Sequence, residues 1–227
     1  MRRTFTSNRF ACRRLNHWRP LFMALLVLGA LATSPVAGKT QTAESKPKAA
    51  EKDYAAIADH LAASREKLRK ALDGLSEEQM RFKSAPERWS IAQVAEHLTL
   101  AENFLFGIVT DQILKSPATP GKERKITDEM LIAATRSRAN KLQAPEPAQP
   151  KGTWASVNET MKEFEQRRAR TISFVKSATA ELRHHFTQLP QGVEVDAAQF
   201  ILLMSAHTER HTAQIEEVKA DPKFPAK

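Results

Sequence analysis

The chain has 227 residues, with 35 lysines and arginines, 26 aspartates and glutamates, one cysteine and a formal net charge of +9, so its length allows one sizeable domain or one domain with appendages. Six of the arginines lie in the first 38 residues, which contain no acidic residue, so 29 basic and 26 acidic residues follow and the net charge beyond residue 38 is only +3. An excess this small, without a basic run, does not favour a nucleic-acid-binding protein.

Residues 1–38 have the order of segments typical of a secretory signal peptide. Arginines come first, an apolar run follows at 21–33, and small residues come last. The apolar run has 13 residues, fewer than the ~20 that a membrane span needs, so we expect cleavage after Ala37 or Gly38 rather than anchoring. The sequence therefore predicts export to the periplasm or the extracellular medium, with no membrane span after cleavage. Cys12 leaves with the signal peptide, which excludes disulfides, cysteine catalysis and cysteine-ligated zinc from the mature protein.

Residues 39–52 are polar and lack aromatic and branched aliphatic side chains, which predicts a disordered linker. The domain that follows, at 53–225, has helical patterns. We predict helices at about 53–73, 77–82, 91–115, 128–142, 157–179 and 197–220. Only the short stretch 192–195 has a strand-like pattern. Four long amphipathic helices with short additional helices predict an all-α four-helix bundle.

Capping boxes mark four of the predicted helix starts. In a capping box a side-chain oxygen and the side chain three residues later satisfy free backbone amides reciprocally. The pairs that fit this pattern are Ser76 with Gln79, Ser90 with Gln93, Ser156 with Glu159, and Asp196 with Gln199. Thr127 is the predicted cap of the helix at 128–142.

Two histidines interrupt the apolar face of the last predicted helix. His207 and His211 lie near the centre of a stripe that also contains Met204 and Ile215. Side chains four apart are neighbours on a helix, so two imidazoles can converge on one metal ion. For this pair alone, two core histidines that are each hydrogen-bonded to a neighbour are an equally good interpretation. His97 lies beside the apolar stripe of the helix at 91–115, from where it can reach into the core of a bundle. Three histidines from the inward faces of two helices can bind one metal ion and leave some of its coordination positions open.

Two stretches resemble the DinB-like superfamily, whose members are four-helix bundles with a metal ion bound by three histidines. They are RWSIAQVAEHLTLAENF at 88–104 and DAAQFILLMSAHTERHTAQIEEVKADPKFP at 196–225. The resemblance covers nearly all of 53–225. It implies that His97, His207 and His211 bind a divalent ion, commonly zinc or nickel, with water completing the coordination.

The resemblance also indicates the kinds of reaction to expect. Characterised relatives include thiol-dependent transferases and a maleylpyruvate isomerase, and other members are described as metal-dependent hydrolases. The family name comes from induction by DNA damage, which is not evidence of DNA binding. The sequence therefore suggests an exported metal-binding protein that acts on a small molecule as a hydrolase or a transferase. The alternative is a non-catalytic helical module that binds a small ligand or a metal, or that forms a homodimer.

Three other polar residues are candidates to support the histidines. The sequence does not identify a catalytic residue. Gln214 lies three positions after His211 and would support a ligand or a bound water, or equally make a simple interhelical hydrogen bond. Glu96 and Glu102 lie close to His97 in sequence and are candidates for a base or a support of a ligand. For both glutamates the favoured interpretation is a solvated helix flank.

Overall fold

The computed structural model describes residues 48–139, 143–178 and 181–227, with side chains from residue 51 onward. The predicted signal peptide at 1–38 and residues 39–47 of the predicted linker lie outside the described residues. The described chain is mostly helical, with one small antiparallel hairpin. The helices are α1 Lys48–Leu72, α2 Glu77–Arg81, α3 Ile91–Asp111, α4 Asp128–Arg136, α5 Val157–Ser177 and α6 Ala197–Lys219; the strands are β1 Phe186–Gln188 and β2 Glu194–Asp196.

Two helix bounds differ from the prediction by five residues or more. α1 begins at Lys48, so residues 48–52, which the sequence predicts to be the end of a disordered linker, are helical. α4 ends at Arg136 instead of near residue 142, because Ser137 adopts an extended backbone with φ −58° and ψ 127°. This early end frees Arg138 to reach α6, where it pairs with Glu217. The segment before α6, which has a strand-like pattern only at 192–195, forms the hairpin of β1 and β2.

The helix starts follow the predicted caps almost throughout. Complete capping boxes form at Ser76, Ser90 and Asp196, and Thr127 accepts a hydrogen bond from a backbone amide of α4. The box predicted at Ser156 is half formed, because the Glu159 carboxylate accepts instead from the amide of the residue before the cap. These caps fix where each long helix begins, and therefore where along it the functional side chains lie.

The first and last helices of the described chain, α1 and α6, run parallel. At the middle of α1, the carbonyl of His60 accepts a hydrogen bond from Ser205 of α6. Near the end of α1, the carbonyl of Ala71 accepts from Lys219, at the end of α6. The contacts advance in the same direction along both helices, which defines the parallel pair.

The other two long helices, α3 and α5, also run parallel. Thr99 donates to the carbonyl of Thr160 on α5, and further along both helices the ring of Phe106 packs edge-on against that of Phe174. The hydroxyl of Tyr54, near the start of α1, accepts from the amide of Leu182, just beyond the end of α5, so these two helices are antiparallel. α1 and α3 each pack on α5 and α6, which places α1 and α3 at opposite corners of the bundle. α3 and α6 are therefore antiparallel neighbours.

A buried ion pair joins all four long helices at the middle of the bundle. The side chain of Arg168 on α5 is 0 % exposed and makes two hydrogen bonds, of 3.0 and 2.7 Å, to the carboxylate of Glu102 on α3. Its remaining donors reach Ser64 and the carbonyl of Leu61 on α1, and the hydroxyl of Thr208 on α6. This polar layer separates two apolar clusters, one centred on the first half of α1 and the start of α6, the other on the second half of α1 and the start of α3.

No helix among residues 48–139, 143–178 and 181–227 combines the length and the apolar character needed to cross a membrane.

Removing the Arg168 guanidinium should destabilise the protein strongly. Arg168→Met leaves the Glu102 carboxylate buried without its ion partner, and we expect the free energy of unfolding to fall by about 3–5 kcal/mol in urea titrations. Arg170→Met is the matched control, because Arg170 lies on the same helix and pairs with Asn103 at the surface. The combined change of Arg168→Met and Glu102→Leu should recover much of the loss. Equal losses in the free energy of unfolding for Arg168→Met and Arg170→Met would contradict a special role of the buried Arg168 guanidinium.

Candidate metal centre

Three histidine side chains converge between α3 and α6. The Nε2 atoms of His97 and His207 are 3.3 Å apart, and one ring nitrogen from each of His97, His207 and His211 lies within 4.8 Å of the other two. The ring centroids are separated by 4.6 to 5.1 Å. Within the described part of the chain, this is the one group of three histidine, cysteine or acidic side chains close enough to share a metal ion.

The antiparallel packing of α3 and α6 explains why these three side chains meet. His97 lies in the second turn of α3 and is 4 % exposed, so it points into the bundle rather than along its flank. His207 and His211 lie one turn apart on α6 and are half-buried. The i, i+4 spacing stacks both rings on one face of α6, opposite His97. The structure therefore brings together the three histidines that the sequence singles out.

A backbone carbonyl fixes the protonation of His97. The Nδ1 atom of His97 lies 2.7 Å from the carbonyl oxygen of Ala148, at the end of a 3₁₀ turn formed by residues 146–148. A carbonyl oxygen can only accept, so Nδ1 carries the proton and Nε2 keeps its lone pair for the cluster. The indole ring of Trp89 packs 4.9 Å from the imidazole, centroid to centroid, and limits its rotation.

A chain of side-chain hydrogen bonds through Gln214 orients His211 in the same way. Its Nδ1 lies 2.9 Å from Oε1 of Gln214, one turn further along α6. The same oxygen accepts a hydrogen bond of 3.4 Å from Arg138, which also makes two hydrogen bonds to the carboxylate of Glu217. Because Arg138 can only donate, it holds the oxygen of the Gln214 amide toward His211. Gln214 thus accepts hydrogen bonds from a histidine of the cluster and from Arg138, which lies beyond the end of α4.

The electrostatic surroundings keep the three imidazoles neutral. Burial lowers the pKa of His97, although the hydrogen bond to the Ala148 carbonyl opposes this shift. Burial lowers the pKa of His207 well below its usual value, helped by the two neighbouring histidines. Burial and the nearby His97 also lower the pKa of His211 to about 3. A neutral imidazole is the form that binds a metal ion.

The geometry and the donor types both fit a divalent transition-metal ion. Two nitrogens 3.3 Å apart, each ~2.0–2.1 Å from a shared ion, subtend an angle of about 105° at it, close to tetrahedral. Two nitrogens on one ion can be no more than about 4.2 Å apart, so a nitrogen at the outer limit of the cluster needs only a small side-chain rotation. A set of three imidazoles suits zinc, nickel, copper or iron, and does not suit calcium or magnesium, which prefer oxygen ligands.

Glu102 does not support the histidines as the sequence suggests, and it is not on a solvated flank. Its carboxylate is buried and accepts from Arg168 and from the hydroxyl of Thr171. Both partners lie on α5, on the side of α3 that faces the polar layer. Glu102 lies five positions after His97, which turns the two side chains to different faces of α3.

Glu96 is also buried, which corrects the sequence interpretation of a solvated flank. Its side chain is 7 % exposed, and its two oxygens accept hydrogen bonds from three consecutive backbone amides, those of Lys151, Gly152 and Thr153. Burial alone would raise the pKa of this carboxyl, but the backbone donors outweigh it and the pKa is lowered. The amides lie 55 to 57 residues away in sequence, so no local pattern could have revealed this role.

A cleft opens beside the histidine cluster. It has a volume of about 340 Å³, and its walls include Trp89, which packs on His97, and Gln214, which is hydrogen-bonded to His211. The remaining lining residues are Ser84, Ala85, Glu87, Arg88, Glu217, Val218 and Asp221. A cleft of this volume suits a small molecule rather than a macromolecule.

Comparisons with known proteins found similarities to one family, to a relative and to a solved structure. The model of the DinB superfamily matches residues 60–215. The uncharacterized protein YuaE of Bacillus subtilis (strain 168) is 25 % identical over 148 residues, which cover 65 % of this chain and 88 % of YuaE. Among solved structures, YfiT of Bacillus subtilis, described as a probable metal-dependent hydrolase with an unusual four-helix bundle topology, superposes with a TM-score of 0.47 at 15 % identity, covering 78 % of this chain and 89 % of YfiT.

The hydrogen bonds at the cluster predict where the imidazole protons lie in the metal-free protein. We expect His97 and His211 to be neutral with the proton on Nδ1, because the Ala148 carbonyl and the Gln214 amide oxygen can only accept. Long-range ¹H–¹⁵N correlation spectra at neutral pH would show this directly. Exposed His60 provides the reference, as it should show the mixture of tautomers of a solvated imidazole. A proton on Nε2 of His97 would contradict the assignment.

Proposed function

This chain belongs to the DinB superfamily, and from that premise we propose that it is a metal-dependent hydrolase that acts on a small molecule. Its metal ligands would be His97, His207 and His211. The observation that carries the proposal is the convergence of three neutral imidazoles from two helices on one point. Zinc and nickel are the metals we favour, as the resemblance to the DinB superfamily implies.

Three protein ligands leave at least one coordination position for water or substrate, as in catalytic rather than structural zinc sites. A divalent ion held in this way supplies a Lewis acid that lowers the pKa of coordinated water and polarises an oxygen or sulfur of the substrate. The chain's own residues hold and orient the ligands. The Ala148 carbonyl keeps the proton of His97 on Nδ1, and Gln214 does the same for His211, so the Nε2 lone pairs of both rings would be free to bind an ion.

The adjoining cleft supports a substrate of low molecular weight. None of the three histidines lines the cleft, but its walls at Trp89 and Gln214 contact His97 and His211, so a molecule in the cleft would be one side chain away from the cluster. Group transfer to a thiol would use the same centre, and it differs from hydrolysis only in the nucleophile. The substrate class, rather than the metal site, distinguishes these two reactions.

Export is the second part of the proposal, and it rests on the sequence of residues 1–38 alone. We propose that the domain works outside the cytoplasm, after removal of the signal peptide.

Metal binding can be tested with protein purified without chelators or nickel resin. We expect about one equivalent of zinc or nickel per wild-type chain by inductively coupled plasma mass spectrometry, and less than a tenth of that in His211→Ala, because two remaining ligands bind a metal ion weakly. His60→Ala is the control, since His60 is exposed on α1 and lies outside the cluster. A folded wild type that takes up no metal would refute the proposal.

The same samples separate an enzyme from a binding module. Metal-loaded wild type should hydrolyse members of a panel of small esters and amides, His60→Ala should match it, and His211→Ala should lose at least a hundredfold in kcat/KM. Activity only with added thiols would favour a transferase. A wild type that binds stoichiometric metal but turns over none of these substrates, with or without added thiols, would favour the non-catalytic alternative.

The signal peptide can be tested by expressing the full chain with its native N-terminus. The protein in the periplasmic or culture fraction should have an intact mass that begins after Ala37 or Gly38. A variant with the apolar run at 21–33 interrupted by two arginines should stay in the cytoplasm at full length. Cytoplasmic accumulation of the unprocessed wild type would contradict export.

A further inference from the structure

Glu96 and His97 are adjacent on α3 and hold the same loop by complementary hydrogen bonds. His97 donates from Nδ1 to the carbonyl of Ala148, at 2.7 Å. Glu96 accepts from the amides of Lys151, Gly152 and Thr153, at 3.0, 3.0 and 2.8 Å. One turn of α3 therefore fixes both the direction of the Ala148 carbonyl and the position of the chain that follows it.

The loop needs such an anchor. It spans residues 143–156, where it links the segment after α4 to α5, and its secondary structure is one 3₁₀ turn at 146–148. A short turn of this kind does not fix the orientation of its last carbonyl by itself. Three hydrogen bonds to one buried carboxylate are stronger than three neutral ones, because the acceptor is charged.

We propose that Glu96 is a positioning residue of the metal centre, which sets the tautomer of His97 and thereby the metal affinity by holding the loop at residues 151–153. The inference rests on the proposed metal site. Glu96 acts through the backbone: its carboxylate fixes the amides, the amides fix the Ala148 carbonyl, and the carbonyl keeps the proton on Nδ1 of His97. The Nε2 lone pair is then available to the ion at all times.

The same geometry excludes the other role considered for Glu96. A general base needs a lone pair within reach of substrate, whereas the side chain of Glu96 is 7 % exposed and three of its roughly four acceptor sites are taken by backbone amides. The residue therefore supports the centre without touching the reacting atoms.

Glu96→Gln tests the proposal in the full-length protein. The glutamine amide turns one of the two acceptors into a donor that faces a backbone N–H, so the loop loses part of its anchor. We expect zinc to bind about 10–100-fold more weakly in competition titrations with a chromophoric chelator. Glu159→Gln is the matched control, because Glu159 also accepts from a backbone amide of the same loop, that of Ala155, but is exposed and lies on α5 rather than on α3. Its zinc affinity should stay within twofold of wild type.

A second measurement separates positioning from simple loss of stability. ¹⁵N spectra of the metal-free proteins should show His97 protonated on Nδ1 in wild type and in Glu159→Gln, and a mixture of both tautomers in Glu96→Gln. If Glu96→Gln does not fold, Glu96→Asp keeps the charge with a shorter reach and should show the same changes to a smaller degree. An unchanged tautomer and an unchanged zinc affinity in a folded Glu96 variant would overturn the proposal.

The two proposals fail in different ways. A wild type that binds no zinc refutes the metal-dependent function, but the tautomer of His97 still reports whether Glu96 positions it. A wild type that binds zinc, with a Glu96→Gln variant that binds equally well, refutes only the role of Glu96.

Discussion

The buried ion pair between Arg168 and Glu102 is the interaction on which the rest of the bundle depends. A guanidinium with no exposure must find a partner for every donor, and only one relative placement of the four long helices supplies Glu102, Ser64, the Leu61 carbonyl and Thr208 together. Purely apolar packing would tolerate sliding of one helix against another. The polar layer therefore sets the register of the bundle as well as contributing to its stability.

The register of α3 and α6 also positions the histidine cluster, because both helices contribute to the cluster and to the polar layer. Thr208 follows His207 directly on α6, and Glu102 lies five residues after His97 on α3, so the layer and the cluster are built from adjacent turns. A shift of one helical turn between α3 and α6 would move the nitrogens by about 5 Å and break the cluster. The remaining freedom, which is rotation of each ring, is removed locally by the Ala148 carbonyl and by Gln214.

Much of this arrangement could be predicted from the sequence, because its signals are local. Caps such as Ser90 and Asp196 act within one turn, and the spacing of His207 and His211 places both on one helical face. The supporting contacts could not be predicted, since the partners of Glu96 are backbone amides and Arg138 reaches Gln214 across 76 residues. Glu102 shows most clearly that closeness in sequence does not place two side chains in one site. It lies near His97 in the sequence, but the rotation of the helix between the two residues directs the Glu102 side chain into the polar layer.

The separation of the ligands along the chain decides when the centre can be completed. His97 and His207 are 110 residues apart, and α6 follows every other described helix. A ribosome therefore releases α6 after α1 to α5 have emerged, so a nascent chain that stops short of α6 presents only one of the three imidazoles. The proposed coordination would be complete only once α6 docks, and a cell would then load the cation onto chains that have already released this helix.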